Sequence, residues 1–121
     1  MMRKTVLVLI AAALAVALAG CSTQEDNTAV DAAASIVLDV RTPEEFAAGH
    51  LVGAVNIDFT AADFEQRIAE LDPNGSYLIY CRSGNRSAQA LTRMQALGFT
   101  DLTDLGSKES ASSATGLDIV Q

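Results

Sequence analysis

Apolar residues fall along this chain in short continuous runs that alternate with stretches of helical spacing. Residues 36–40 are a short, nearly unbroken apolar run, as expected of a strand buried on both faces in a parallel sheet. Thr42-Pro43-Glu44-Glu45 follows as a capping box, with Thr42 at N-cap, Pro43 at the first helical position and Glu45 at the third. It predicts a helix to about Ala48, ended by Gly49. Residues 55–57 predict a second short strand. Phe64, Ile68 and Leu71, at i, i+4 and i+7, predict a helix whose solvated face carries Asp63, Glu65, Arg67 and Glu70. Asp72-Pro73-Asn74-Gly75 is a turn by composition. The run Tyr77-Leu78-Ile79-Tyr80 is a third strand. Leu91, Met94 and Leu97 are the expected inward positions of the next helix, closed by Gly98, with Phe99 placed for the apolar contact of a Schellman end. A weaker strand at 102–105, a helix to about Thr115 stopped by Gly116, and a last strand at 117–120 complete the pattern. Strands alternating with helices place the chain in the α/β class.

The first twenty residues follow a different rule. Met1-Met2-Arg3-Lys4 is a short basic segment, and residues 5–18 are continuously apolar. As helix, residues 5–20 would span about 24 Å, short of the roughly 30 Å hydrocarbon core of a bilayer. Leu18-Ala19-Gly20-Cys21 matches the box of a bacterial lipoprotein signal, with cleavage before Cys21 and a lipid on its sulfur. The expected organisation is therefore a signal peptide at 1–20, a lipidated Cys21 with a flexible tether to residue 34, and one domain at 35–121. The tether, polar and Ala-rich, reaches on the order of 20 Å as a coil. Such a protein is expected to be membrane-anchored on the extracytoplasmic side.

Charge narrows the function. The formal net charge is −7, and cleavage would remove Arg3 and Lys4 to leave −9. A domain this acidic is a poor nucleic-acid binder. With Cys21 lipidated, Cys81 would be the one free thiol, so no internal disulfide or resolving cysteine is available. No His/Cys/Asp cluster has metal-ligand spacing, so no metal and no cofactor is expected. His50, the single histidine, precedes the second strand, where a hydrogen bond to loop backbone is the expected role. Asp39 and Arg41, at a strand's exit, are expected to tie neighbouring loops by ion pairing.

The candidate chemistry lies in Cys81-Arg82-Ser83-Gly84-Asn85-Arg86-Ser87, between the third strand and a helix. A strand–loop–helix unit puts this loop at the carboxyl edge of a parallel sheet, where α/β proteins bind ligands. Small residues after Cys81 let several backbone N–H groups turn toward its sulfur, and the following helix adds its positive end. Two guanidinium groups add full charges. Such surroundings favour thiolate over thiol. Cys81 reads as a nucleophile in an anion cradle made by Arg82, Ser83, Gly84, Asn85, Arg86 and Ser87.

This loop resembles the active-site loop of single-domain rhodaneses, the sulfurtransferase family. Ile36-Val37-Leu38-Asp39-Val40-Arg41, Pro43-Glu44-Glu45-Phe46 and residues 49–57 match the family's opening pattern in order. Leu97-Gly98-Phe99 and Asp104-Leu105-Gly106 match its closing pattern. The resemblance implies a central parallel sheet of about five strands with helices on both faces. It also implies double displacement: Cys81 takes the outer sulfur of thiosulfate or a similar small anionic donor, and cyanide or a thiol removes it from the persulfide. Beyond Gly106 the chain departs from the pattern. Many relatives carry a second Gly and a Trp there, whereas this chain has Ser107-Lys108-Glu109-Ser110 and no Trp, leaving the tail's packing and one wall of the pocket open.

Two other readings stand beside this one. A tethered module could bind anions or a protein partner through the loop with an idle cysteine. Cysteine phosphatases and arsenate reductases need Cys-x5-Arg, and here the arginine comes one place early, at Arg86.

Overall fold

The computed structural model describes residues 31–121. Ten elements follow in order: β1 (Ile36–Asp39), α1 (Pro43–Ala48), β2 (His50–Leu51), β3 (Val55–Asn56), α2 (Phe64–Ala69), β4 (Ser76–Cys81), α3 (Asn85–Ala96), β5 (Asp101–Ser107), α4 (Lys108–Thr115) and β6 (Ile119–Val120). The signal segment, Cys21 and most of the tether lie outside the described residues.

Four strands form a parallel sheet in the order β3-β1-β4-β5. The α/β expectation holds, but the sheet has four strands where about five were expected. The last strand, β6, pairs antiparallel with β2 in a separate ribbon, His50 against Val120 and Leu51 against Ile119. The chain is turned there by Gly116, whose φ of 72° follows α4. It pairs there with Leu51, so that β5 is an edge strand of the sheet among the described residues.

Period-2 alternation sorts the central strands onto two cores. Leu38, Tyr77, Ile79 and Cys81 point to the face covered by α2 and α3, where Phe64, Ile68, Ala90, Met94 and Phe99 are buried. Val37, Leu78 and Tyr80 point to the other face, with Leu51, Leu105 and Ala111 of α4. β4, at the centre, is buried from Tyr77 to Cys81. This is the strand that delivers the thiol.

The local signals behave as their chemistry requires. Thr42 caps α1 by accepting from Glu45 N at 3.3 Å, and Glu45 reaches back to Thr42 N at 3.5 Å. α3 ends in a Schellman motif, Phe99 N bonding Met94 O at 3.2 Å and Gly98 N bonding Gln95 O at 3.1 Å. The inward face of α3 is Ser87, Ala90 and Met94, with Leu91 packed at its margin. Leu97 departs from expectation: it is 44% exposed. It sits at the C-cap, three residues past Met94 and turned off the buried face, and Phe99 takes the core position instead.

Candidate active site

Cys81 ends β4 with no accessible surface. The partner strand β5 shifts register beside it, Ile79 facing Asp104 but Tyr80 facing Gly106, so Leu105 is the extra residue of a bulge. The bulge brings Gly106 against the loop: a Cβ on Gly84 would lie 3.4 Å from Gly106 Cα. Gly84 itself has a φ of 93°, left-handed backbone that glycine adopts without penalty. That conformation turns its N–H to Cys81 Sγ at 2.9 Å and makes Gly84 the N-cap of α3.

Ser87, in the first turn of α3, is fully buried; its hydroxyl lies 3.5 Å from Sγ and donates to Gly84 O at 3.0 Å. Burial pushes the Cys81 thiol up, but the Ser87 hydroxyl, once turned from Gly84 O to the sulfur, and the amides of Ser87, Ser83 and Gly84 pull it down further, to a net position below the ordinary thiol range. Hydrogen bonds, rather than the arginines, therefore do most of the work of activating the sulfur.

The arginines of the loop go elsewhere. Arg86 makes a two-pronged ion pair with Glu45 of α1, Nη1 to Oε1 at 2.8 Å and Nη2 to Oε2 at 3.0 Å. The Arg86 guanidinium holds the Glu45 carboxyl down at about 2. The hydrogen bonds and charge of Glu45 raise the Arg86 guanidinium above its ordinary range, with a smaller contribution from a Cys81 thiolate. Arg82 is exposed, and its side chain lines a cleft between α1 and the start of α4. Asn85 is exposed and accepts from Gln89 Nε2 at 3.2 Å. Of the six cradle residues expected from sequence, Ser83, Gly84 and Ser87 meet the sulfur directly.

A family model described as a rhodanese-like domain matches residues 22–108. The chain belongs to the rhodanese-like domain family. Thiosulfate sulfurtransferase 16, chloroplastic, of Arabidopsis thaliana is 37% identical over 90 residues, 66% of this chain and 75% of that protein. Thiosulfate sulfurtransferase GlpE of Pseudomonas entomophila is 34% identical over 79 residues, 64% of this chain and 70% of that protein. Among solved structures, a rhodanese with anions from E. coli superposes with a TM-score of 0.61 at 27% identity, covering 73% of this chain and 99% of that one.

The rest of this rhodanese-like site is scaffold. Asp39 and Arg41 form a buried ion pair, Arg41 Nη2 to Asp39 Oδ2 at 2.6 Å, and the same nitrogen donates to Gly49 O at 2.6 Å. The pair thus ties the β1 exit to the end of α1. Asn56 Nδ2 adds bonds to Asp39 O at 3.0 Å and Arg41 O at 2.9 Å. His50 Nδ1 is 2.8 Å from Phe46 O and its ring stacks on Phe46, a backbone-anchoring position. No group of three or more potential metal ligands occurs among the described residues. Sequence reading missed two residues, Glu45 as the partner of Arg86 and Lys108 as cleft lining. Glu45 carried only its capping signal, and nothing local marks a pairing across 41 positions. Beyond Gly106, where the chain departs from the family's closing pattern, Lys108 and Glu109 at the start of α4 line the cleft that Arg82 borders.

Proposed function

We propose that this chain is a sulfurtransferase acting through a Cys81 persulfide. The Cys81 thiolate attacks the outer sulfur of thiosulfate, the S–S bond of the donor breaks, and sulfite leaves with the electron pair. The sulfur is then held as Cys81–S–S⁻ until cyanide or a thiolate attacks it and returns the electron pair to Sγ. The observation that carries this reading is the Gly84 N–H at 2.9 Å from Sγ, with Ser83, Ser87 and their thiolate-favouring bonds around it. Preorganised donors of this kind stabilise a buried anion without rearranging during the reaction.

The reading of a tethered binding module draws on two observations. Cys81 has no accessible surface, and Arg86 is already engaged by Glu45. One measurement separates the two. Thiosulfate should add one sulfur atom to the intact protein by mass spectrometry, and cyanide should strip it off. An unchanged mass at saturating thiosulfate leaves the module reading in possession.

The location belongs to the same proposal. A lipid on Cys21, with residues 22–34 as tether, would hold the domain on the extracytoplasmic side of a membrane. No helix among the described residues is long and apolar enough to cross one.

A further inference from the structure

A cleft borders the thiol's cradle without being lined by Cys81. It has a volume of about 200 Å³ and is lined by Arg41, Glu45, Ala48, Arg82, Lys108 and Glu109. It lies between α1 and the first turn of α4, and Arg82 joins it covalently to Cys81. Its charges do not balance locally. Arg41 is neutralised by Asp39 and Glu45 by Arg86. Glu109, which also lines the cleft, is 3.9 Å from Lys108 Nζ and its side chain is 71% exposed, whereas that of Lys108 is only 23% exposed. Arg82 has no ion-pair partner among the described residues. Arg82, unpaired, and Lys108, held only by the long 3.9 Å contact to Glu109, therefore line the cleft with donors to spare.

Lys108 is also in an electrostatically adverse place. It is the first residue of α4, where the helix presents the positive end of its dipole and an acid would be favoured. Its ammonium is tucked against Gly49 at the end of α1, 3.4 Å from where a Cβ there would stand. A half-buried ammonium beside a helix N-terminus and a guanidinium makes a concavity that suits a carboxylate.

We propose that this cleft binds the carboxylate of the thiol that accepts sulfur from Cys81. The inference rests on the sulfurtransferase reading and names its acceptor class: a small mercaptocarboxylate, anchored by Lys108 and Arg82 with its thiolate directed across the Cys81–Arg82 link. That thiolate attacks the terminal sulfur of the persulfide. The Sγ–S bond breaks, its electron pair returns to Sγ, and the acceptor leaves as a persulfide carrying the transferred sulfur.

The test uses the full chain, loaded with thiosulfate and then discharged by 3-mercaptopropionate or by cysteamine at equal thiolate concentration. The rate ratio of the anionic to the cationic thiol is the readout. Lys108→Gln should lower this ratio about tenfold, the loss expected for one charge-assisted contact, and Lys108→Arg should restore most of it. Arg93→Gln removes the same charge from the outer face of α3 and should leave the ratio in place; an equal fall there, or no fall in Lys108→Gln, overturns the proposal. If the wild-type chain takes no sulfur from thiosulfate, the sulfurtransferase reading fails by itself. The cleft is then judged by the NMR shifts that 3-(methylthio)propionate induces: loss in Lys108→Gln supports a carboxylate site, and equal shifts in both proteins overturn it.

Discussion

At the scale of single residues, the site turns on Glu45, whose Oε1 accepts from both Thr42 and Arg86 while Oε2 accepts from Arg86 alone. One carboxylate serves the α1 capping box and the Arg86 ion pair together. Glu45→Gln keeps the cap, since glutamine serves at the third helical position as glutamate does, and so isolates the pair. Because the folded carboxyl sits at about 2 against an ordinary 4.5, its contribution is fully present above about pH 4.5 and is lost as pH falls toward 2. Urea denaturation should show Glu45→Gln less stable by about 1–2 kcal/mol at neutral pH, allowing for the partial exposure of the pair. The gap between variant and parent should close on acidification. A gap of the same size at pH 2.5 and pH 7 would mean the bond, not the charge, is what Arg86 supplies.

At the scale of elements, α3 shows how a helix can be read correctly in kind and misread in facing. Met94 and Ala90 lie on its buried stripe together with Ser87, so the same face that packs the core aims a hydroxyl at Sγ. Packing and the placement of that hydroxyl share one rotation of this helix. Truncating Met94 to Ala should cost about 2–5 kcal/mol, as for a buried side chain whose cavity cannot collapse. Leu97→Ala, at a half-exposed cap, should cost less than about 1 kcal/mol. Thermal or urea unfolding of the two variants checks the order, and comparable losses would place Leu97 in the core after all. The end of α3 was legible because Gly98 and Phe99 form a local motif. Leu97 was not, because apolar identity says nothing about which side of a cap faces water.

At the scale of the whole molecule, the proposed function gives the two cysteines unrelated jobs, lipid at Cys21 and sulfur at Cys81. Cys21→Ser should remove the protein from the membrane fraction while sparing thiosulfate:cyanide transfer, because a polar tether couples anchor and domain weakly. Cys81→Ser should leave fractionation untouched and abolish transfer, since a hydroxyl cannot carry the sulfane sulfur. Transfer surviving Cys81→Ser would remove the nucleophile from this account. By itself the sequence determined what near neighbours decide: the alternation of strand and helix, the capping box at Thr42, the Schellman end at Phe99, and a thiol followed by small residues that can bare their amides. Only the tertiary structure decided where the charges go. Arg86 turned to Glu45, Arg82 and Lys108 met across a cleft, and β6 left the sheet to pair with β2. The reason is physical. Hydrogen bonds within a turn depend on residues a few positions apart, whereas an ion pair or a strand partner is chosen among all the groups that folding brings within reach, and no local pattern records that choice.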